Sequence, residues 1–485
     1  MKIDYNKIGL KAGLEIHQQL DTGRKLFCKC PSFLRTDNPN VEIKRKLHKV
    51  AGETGTIDTA VEYESSLKKE FTYQGYKDST CLVELDEEPP LLIDEKALDE
   101  VLKISILLNS EIYPISQIMR KTVIDGSNTS GFQRTVLIAH GGFLELSFGK
   151  VGIESIALEE DSARLVSDKK SKEVVFRLDR LGIPLVEVST RAKLKTPEQI
   201  KECALKLGEI LRACKVKRGI GTIRQDLNIS IKGHDRVEIK GFQDPKIMNK
   251  TVELETERQL SELEQKKTKS EVRNSKEDGT TEFLRPMPTG ARMYPETDLP
   301  LLKISRDKIN KIKKELPKLK NEIRDELKKI GLNDEMIKLV LETNENLEEF
   351  QVLLNIYDKD ANLIVKMTQL WRNEFASKKG KSFDEIKNIL NERLLEKILE
   401  NLREGKISEG DIKGILWNIV EGKNIEEALK IDKFDHDKLE EEISKIIKDR
   451  PGLSANAYMG MVIGKLGKSI DKRKTMEILN RLVKN

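Results

Sequence analysis

The sequence predicts an α+β protein, with a mixed-sheet body first and helices after it. Residues 1–300 are rich in glycine and in short runs that alternate apolar and polar residues, which is typical of strands. Residues 301–485 are dominated by Lys, Glu, Leu and Ile at helical spacing. Since one domain holds roughly 100–200 residues, a chain of 485 residues is expected to form about three domains.

The bulk composition excludes some classes of protein. The net charge of +5 is small for a chain in which 35% of residues are charged, so any polyanion site must come from local arrangement. Residues 1–10 lack the apolar core of about 7–15 residues that a signal peptide needs, and no run reaches the roughly 18 apolar residues of a membrane span. Five cysteines without regular spacing favour a reducing cytoplasm.

The clearest strand signal in the body lies at residues 222–231. Side chains of a strand alternate between its two faces, so the apolar residues of this segment fall on one side. The other side carries Arg224, Asp226, Asn228 and Ser230. A solvated sheet face would explain such a row, but these four residue types in register favour a binding surface.

A helix is predicted after residue 196. Thr196 is a good N-cap, Pro197 suits the first helical position, and Gln199 completes a capping box. Apolar residues then recur at helical spacing, which places Cys203 and Cys214 on a buried stripe. We interpret these two cysteines as core residues, not as ligands or nucleophiles.

Residues 262–279 are polar, rich in Lys and Glu, and without periodicity, which predicts a surface linker or an exposed loop. Prolines at positions 286, 288, 295 and 300 then indicate a rigid, irregular stretch that closes the body. Beyond it, Asn333 is predicted to cap a helix, and several amphipathic helices follow it.

Three acidic groups in the body could hold a metal ion: Glu15 with His17, the run Glu159, Glu160 and Asp161, and Glu187. Glu187 is the single carboxylate of an otherwise apolar strand, where burial would be costly unless it is paired or coordinates something. Mg²⁺ is bound by a few carboxylates together with substrate phosphates. The alternative is a set of unrelated surface acids, and spacing alone does not decide between the two.

A segment that could approach phosphate groups follows Arg120 and Lys121. It offers the hydroxyls of Ser127, Thr129 and Ser130 between the flexible glycines Gly126 and Gly131. The segment is not a Walker A loop, so by itself it is a weak sign of nucleotide binding.

Cys28, Cys30 and Cys81 leave a structural zinc site open as a less favoured possibility. Such a site needs four ligands, and only His48 is available in the sequence as a fourth, with nothing to position it. There is no serine nucleophile motif and no cysteine–histidine protease signature, so the chain is not expected to hydrolyse amides itself.

Six motifs resemble the GatB/GatE amidotransferase family: GLEIH at 13–17, LEEDSA at 158–163, DRLGIPLVE at 179–187, RQDLNIS at 224–230, EIK at 238–240 and RMYPETD at 292–298. The runs LDEEPP at 85–90, residues 126–135 and FLRP at 283–286 resemble the archaeal GatE branch of that family more than the bacterial GatB branch. The resemblance covers nearly the whole chain. GatE proteins normally carry an inserted domain where this chain has only residues 262–279, so tRNA contacts of that domain do not carry over.

The resemblance implies a cradle-like catalytic domain at residues 1–300, a helical domain at 301–374 and a YqeY-like tail at 375–485 that grips tRNA. It also implies that ATP is used to phosphorylate the glutamyl side chain of Glu-tRNA(Gln), which ammonia then converts to glutamine. Mg²⁺ would be held by His17, Glu160 and Glu187, with Glu15 and Glu159 nearby. ATP phosphates would meet Arg120, Lys121, Ser127, Thr129 and Ser130, and an ammonia route would be lined by Lys240, Asp226 and Arg224.

By the same resemblance, ammonia would come from an asparaginase-like glutaminase subunit in a hetero-oligomer. Two alternatives stay open from the sequence. One is a GatB-like member of a three-subunit complex that acts on Glu-tRNA(Gln), Asp-tRNA(Asn) or both. The other is a tRNA-binding scaffold without catalytic activity.

Overall fold

A computed structural model describes residues 3–52, 55–167, 172–429, 436–466 and 472–483. The chain divides into two compact units, Met1–Leu319 and Lys320–Asn485. The first unit holds the strands and five helices, and the second unit is helical over the residues described. The predicted α+β class, with a mixed sheet followed by helices, is confirmed.

The strands of the first unit are β1 (Lys11–Gln19), β2 (Val41–Arg45), β3 (Glu70–Gly75), β4 (Glu111–Ile112), β5 (Ile115–Ser116), β6 (Ile118–Thr122), β7 (Phe132–His140), β8 (Phe143–Leu146), β9 (Gly149–Glu160), β10 (Arg164–Leu165), β11 (Glu173–Arg177), β12 (Pro184–Thr190), β13 (Ile223–Ser230), β14 (Val237–Lys240), β15 (Glu271–Ser275), β16 (Thr281–Pro286), β17 (Met293–Pro295) and β18 (Leu302–Lys303).

Most of these strands form one mixed sheet. Its order is β16-β15-β14-β13-β1-β12-β9-β7-β6-β17, with β4 paired to β7 and β8 paired to β9. Neighbours in this sheet are antiparallel except β14 and β15, which are parallel. A smaller sheet has the order β10-β11-β3-β2, and β18 pairs with β5. Strand β1 therefore lies near the middle of the large sheet.

The helices of the first unit are α1 (Thr59–Ser66), α2 (Glu95–Leu107), α3 (Pro197–Ala213), α4 (Met248–Glu264) and α5 (Arg306–Lys314). Helices α2 and α3 belong to the same hydrophobic core as β1, β9 and β12. Removing one leucine or isoleucine side chain of such a core from water is worth about 1.5–3 kcal/mol. This apolar packing covers one face of the sheet.

Helix α3 begins where the sequence predicts. The Thr196 side chain accepts a hydrogen bond from the Gln199 amide at 3.3 Å, and Pro197 is the first helical residue. The Gln199 side chain, however, accepts from the amide of Lys195, one residue before the cap, so the capping box is not closed as predicted. Cys203 and Cys214 are buried, which confirms their assignment to the core.

Alternation along the central strands gives the sheet two different faces. Leu14 and Ile16 of β1 are buried in the core, and Glu15 and His17 point to the opposite side. In β13 the apolar residues lie on the core side, and Asp226 lies opposite Glu15 in the pairing of the two strands. The predicted strand at 222–231 and its polar row are confirmed, and we call this side the polar face.

The surface linker or exposed loop predicted at residues 262–279 contains regular structure that the sequence did not indicate. Helix α4 continues to Glu264, and β15 then joins the large sheet beside β14. Val272 of β15 is buried although its neighbours in the sequence are polar. The charged residues of this strand pair with one another and with α4, as in the Arg273–Glu271 ion pair at 2.5 Å. A strand stabilised by ion pairs carries no apolar alternation for sequence reading to detect.

The first unit also extends past the predicted end of the body at residue 300. Helix α5 contributes Ile312 to its core, and Lys308 of α5 pairs with Asp99 of α2 at 2.7 Å. The unit ends at Leu319 for this reason.

The helices of the second unit are α6 (Lys320–Lys329), α7 (Asp334–Val340), α8 (Asn344–Ile356), α9 (Ala361–Val365), α10 (Trp371–Lys379), α11 (Phe383–Ile389), α12 (Glu392–Arg403), α13 (Glu409–Val420), α14 (Ile425–Leu429), α15 (His436–Asp449), α16 (Ala455–Leu466) and α17 (Lys472–Val483). Asn333 caps α7, as predicted. One hydrophobic core runs from Leu327 to Ala428, so position 374/375 falls inside it, and a smaller core joins α15, α16 and α17. A tRNA-binding tail at 375–485 stays a prediction.

The second unit contains a fully buried ion pair. Arg372 of α10 faces Glu349 of α8 with two parallel bonds, Nη1 to Oε2 at 2.8 Å and Nη2 to Oε1 at 2.6 Å. The guanidinium also donates to the backbone oxygens of Thr368 and Leu390. One cation thus pairs with one carboxylate. Most of the remaining N–H donors of the Arg372 guanidinium are bonded to backbone carbonyls.

No helix among the described residues is both long enough and apolar enough to cross a membrane.

Candidate active site

Three neighbouring strands bring the predicted metal-binding residues to the polar face. His17 of β1 lies directly opposite Glu187 of β12, and Leu185 of β12 lies opposite Glu159 of β9. Because residues two apart on a strand share a face, Glu187 and Glu159 point to the same side as His17. Residues separated by up to 170 positions in the sequence therefore meet on one surface.

The distances within this cluster are short. His17 Nε2 lies 3.3 Å from Glu187 Oε2 and 3.5 Å from Glu15 Oε1. One ligand atom each from His17, Glu159 and Glu187 can be chosen so that all three lie within 4.8 Å of one another, and the same holds for Glu15, His17 and Asp226. These two overlapping groups, centred on His17, form what we call the acidic cluster.

The structure places Glu159, and not Glu160, beside His17 and Glu187. Adjacent residues of a strand point to opposite faces, so Glu160 at the end of β9 faces away from the cluster. Its Oε1 accepts from the Arg134 amide at 2.9 Å and lies 3.3 Å from Arg134 Nη1. Burial raises the pKa of Glu160 despite this partner. The geometry thus departs from the ligand set that the sequence suggested.

Glu159 is held by three side chains from two other strands. Its Oε1 accepts from Thr135 Oγ1 at 2.6 Å and from Lys121 Nζ, and its Oε2 accepts from Gln133 Nε2 at 3.0 Å. Lys121 Nζ also lies 3.6 Å from Glu187. Sequence reading missed Thr135 and Gln133. Both lie in β7, two residues apart and on the same face, and this spacing was the only signal that could have indicated them.

Carboxylates outnumber cations in the acidic cluster and its surroundings. Burial and the neighbouring Glu187 raise the pKa of Glu15 to about 7. Burial works against the ionised forms of Glu187 and Lys121, but Lys121 and His17 hold the pKa of Glu187 well below its ordinary value, and Glu159 and Glu187 raise the pKa of Lys121. His17, although buried, has its pKa raised to about 9 by Glu187 and Glu15. These shifts show a local excess of negative charge.

The donor set of the acidic cluster fits a hard divalent cation. Carboxylate oxygens are the protein ligands that Mg²⁺ prefers, usually a few of them together with waters and substrate phosphates. An added positive charge would also favour the ionised form of Glu15, whose pKa is raised by burial and by the neighbouring Glu187. The residues present therefore suit Mg²⁺, and binding of the ion through His17 would displace the proton that its raised pKa favours.

The predicted tunnel residues lie at the border of the acidic cluster. Lys240 Nζ lies 2.7 Å from Asp226 Oδ2 and 2.7 Å from Glu238 Oε1, and these carboxylates raise the pKa of Lys240 against the effect of burial. Arg224 Nη2 donates to Asp161 Oδ1 at 2.7 Å. The other oxygen of Asp161 accepts from Gln19, so Asp161 fixes Arg224 at the end of the polar face.

Of the five residues predicted to meet ATP phosphates, only Lys121 lies at the acidic cluster. Arg120 is bonded to Glu296 at 2.9 Å and to Asp298 at 3.2 Å. The three hydroxyls of the loop are used within the protein: Ser127 donates to Asp125, Thr129 to the Glu84 carbonyl and Ser130 to the Phe132 carbonyl. Thr129 and Ser130 line the same cleft as Glu160 and Arg134.

The three candidate zinc ligands do converge, with a different fourth group. Sγ atoms of Cys28, Cys30 and Cys81 and a Glu84 oxygen lie within 4.8 Å of one another, and His48 is not part of this group. Lys25 Nζ bonds to Glu84. Three thiols and a carboxylate belong to the ligand types of zinc. Zinc at this position stays the less favoured possibility that the sequence left open.

Comparison with known proteins gives a consistent result. A family described as GatB/GatE catalytic domain matches residues 10–310. The GatE chain of the glutamyl-tRNA(Gln) amidotransferase of Methanocaldococcus jannaschii is 35% identical over an alignment that covers 100% of both chains. The GatE chain of Methanococcus maripaludis strain C7 is 32% identical over 93% of this chain and 92% of its own length. That of Pyrobaculum neutrophilum is 48% identical over 54% of this chain and 43% of its own.

The alignment with the Methanocaldococcus protein spans 634 positions, whereas this chain has 485 residues. The relative therefore carries segments that this chain lacks. All strands of the acidic cluster lie inside the matched range of 10–310. On the extent of these matches, the chain belongs to the GatB/GatE family.

Proposed function

We propose that this chain is one component of a tRNA-dependent amidotransferase that works in the cytoplasm and converts Glu-tRNA(Gln) into Gln-tRNA(Gln) at the expense of ATP. Such an enzyme is a carbon–nitrogen ligase. The curated relatives that cover most of this chain are named as GatE chains of glutamyl-tRNA(Gln) amidotransferase. The observation that carries the catalytic part of the proposal is the acidic cluster centred on His17.

The chemistry requires activation of a carboxylate. A carboxylate repels nucleophiles and has no leaving group, so ammonia does not attack it directly. In the proposed first step an oxygen of the glutamyl side chain forms a bond to the γ-phosphorus of ATP, and the bond from that phosphorus to ADP breaks. In the second step ammonia attacks the carbonyl carbon, the phosphate leaves with the bonding electrons, and a proton is lost from the attacking nitrogen.

The residues of the acidic cluster have defined tasks in this scheme. His17, Glu159 and Glu187 would hold the Mg²⁺ that neutralises charge on the phosphates when it is bound. Thr135 and Gln133 orient Glu159, and Lys121 pairs with both Glu159 and Glu187. Such outer partners of metal ligands typically contribute about 10- to 100-fold to metal affinity or activity, so their placement supports the proposal.

Ammonia would be delivered by a separate asparaginase-like glutaminase subunit. Lys240, Asp226 and Arg224 are polar, partly buried and next to the acidic cluster, which suits a route for a small polar molecule. Their charges are compensated by Glu238 and Asp161, so the route itself would carry little net charge.

The proposal is tested with the protein purified together with whatever partner chain accompanies it. Supplied with Mg²⁺, ATP, ammonium chloride and Glu-tRNA(Gln), it should form ADP and Gln-tRNA(Gln) in equal amounts, and it should consume no ATP when Glu-tRNA(Gln) is omitted. Absence of turnover with all substrates present would support a scaffold instead. An accompanying amidase-like chain, in place of an asparaginase-like one, would favour the three-subunit alternative.

A further inference from the structure

The loop that leads into strand β13 is held rigidly at its base. Residues 215–217 run beside the end of β1, and the Gln18 side chain donates to the carbonyls of Lys217 at 2.9 Å and Thr222 at 3.1 Å. Thr222 Oγ1 closes the turn by donating to the Gly219 carbonyl at 2.8 Å. The four residues between these anchors, 218–221, project as a tip of fixed direction. We call residues 212–221 the basic loop.

The basic loop concentrates positive charge without neutralising it. Its cations are Arg212, Lys215, Lys217 and Arg218. None of these four side chains forms an ion pair within the part of the chain that the structure describes, whereas most cations on the polar face do. Burial and the nearby Arg218 lower the pKa of Arg212, as expected where like charges lie close together. The charge of the loop is therefore available to an external anion.

The tip of the basic loop also presents a large apolar side chain to water. Ile220 has a relative exposure of 106%, which means that no other residue covers it. It stands between Gly219 and Gly221, whose φ angles of 108° and 83° are open to glycine but costly for other residues. These two glycines hold the side chain away from the body. An exposed isoleucine at such a tip can make apolar contact with a nucleobase, as aliphatic side chains do in proteins that wedge them between bases.

The basic loop lies close to the acidic cluster. Thr222 bonds to β1 through Gln19, and Arg224 lies directly opposite His17. Arg224 lies four positions after Ile220, a distance of at most about 14 Å even in a fully extended chain. A ligand whose reacting end is at His17 would thus have its next segment at the basic loop.

We propose that the basic loop binds the single-stranded 3′ end of the tRNA, with the backbone phosphates at Arg212, Lys215 and Arg218 and a base against Ile220. This inference rests on the proposed function, because it takes aminoacyl-tRNA as the substrate. It adds a surface that positions the 3′ end without reading its sequence, since phosphate contacts fix register and carry no base information.

The test uses tRNA(Gln) with an intact 3′ end and the same tRNA shortened by its single-stranded terminal nucleotides. Arg218→Gln and Ile220→Ser should each weaken binding of the intact tRNA on the order of fivefold. Arg218→Gln should also reduce the slope of log K against log salt by about 0.7. Both variants should bind the shortened tRNA as the unmodified protein does.

Lys276→Gln is the matched control, because Lys276 is an exposed lysine of the same unit that pairs with Glu282 at 3.0 Å. Lys276→Gln should change neither the affinity for tRNA nor the slope of log K against log salt. Equal losses for intact and shortened tRNA would overturn the proposal, and so would an unchanged affinity of both variants for the intact tRNA. These are binding measurements, so they stand even if no Gln-tRNA(Gln) is formed. Failure of the proposed function is seen only in the turnover assay.

Discussion

Charged side chains are buried in both units of this protein, but the ratio of carboxylates to cations differs between them. In the second unit one cation, Arg372, faces one carboxylate, Glu349, and its bonds are nearly all used. On the polar face of the first unit, Glu15, Glu159, Glu187 and Asp226 share only Lys121, Lys240 and His17. The pair is balanced within the chain, whereas the acidic cluster has negative charge left over.

This difference separates a structural group from a functional one. A balanced buried pair contributes specificity to the fold, and loss of one partner leaves an uncompensated charge. An unbalanced cluster destabilises the folded state by itself, and it persists because the surrounding strands over-determine its geometry. Burial and, after it, the neighbouring Glu187 raise the pKa of Glu15 to about 7, and the contribution of Glu187 reflects this imbalance. Changes in the two regions should therefore act on different properties, activity in one and stability in the other.

The largest effect is expected for Glu187→Gln. This change keeps the size of the side chain but removes a charge from the centre of the acidic cluster, so formation of Gln-tRNA(Gln) should fall by about 10³-fold, equivalent to about 4 kcal/mol of transition-state stabilisation. The affinity for tRNA should change little. Single-turnover rates at saturating tRNA and a separate binding measurement check both statements.

The matched controls for Glu187→Gln are Glu159→Gln and Glu160→Gln. Glu159→Gln should reduce activity nearly as much, whereas Glu160→Gln should mainly lower stability, because it weakens the contact with Arg134 on the other face. A loss of activity for Glu160→Gln that exceeds the loss for Glu159→Gln would reverse the assignment made from the strand geometry.

In the second unit, Arg372→Ala should cost about 3 kcal/mol or more of stability, because it leaves Glu349 buried without a partner. Native-state hydrogen exchange of amides in α8 and α10 measures this free energy locally. The double variant Arg372→Met with Glu349→Leu should recover most of the loss, since it removes both charges. If the double variant is no more stable than the single one, the pair is not the balanced group described above.

A smaller effect on activity is expected for Thr135→Val, which has the same shape but lacks the hydroxyl bonded to Glu159. Activity should fall about 10- to 100-fold with little change in thermal stability, because the effect comes from a misplaced ligand. Rates measured over a range of Mg²⁺ concentrations should show partial recovery at high Mg²⁺. If Thr135→Val is as active as the unmodified protein, Glu159 does not depend on the hydroxyl that β7 provides.

The smallest effect is expected for Thr196→Ala. It removes the N-cap of α3, a helix that packs on the apolar side of the sheet, and should cost about 1 kcal/mol of stability. Activity per folded molecule should be unchanged, because no residue of the acidic cluster moves. Thermal unfolding and turnover on the same sample check this, and a loss of activity larger than the loss of folded protein would couple the two faces of the sheet.

Much of the fold follows from local signals in the sequence. Thr196 and Pro197 define the start of α3, and the alternation from Ile223 to Ser230 defines β13 with its polar row. Strand β15 escaped detection because its charged residues pair with residues of α4 that lie earlier in the sequence, as Glu271 does with Arg258 and Arg273 with Glu255. Alternation of apolar and polar residues indicates a strand that packs against an apolar core. A strand stabilised by ion pairs shows little of this alternation.

The candidate site was predictable only in part. The acids and His17 could be named from motifs, but the choice between Glu159 and Glu160 depends on the pairing register of β9 with β12, which no local pattern specifies. The same holds for Glu84 beside the three cysteines and for Gln133 and Thr135, whose roles come from tertiary contact alone. Arg120 and the hydroxyls of Ser127, Thr129 and Ser130 looked free in the sequence and are bonded within the fold.

The central claim is that His17, Glu159 and Glu187 hold one divalent cation. Binding of Mn²⁺, measured by electron paramagnetic resonance in the presence of a non-hydrolysable ATP analogue, tests it without any need for turnover. We expect one tightly bound Mn²⁺ per chain in the unmodified protein and in Glu160→Gln, and its loss in Glu187→Gln. Equal Mn²⁺ binding by Glu187→Gln and the unmodified protein, or loss of Mn²⁺ in Glu160→Gln alone, would contradict the claim.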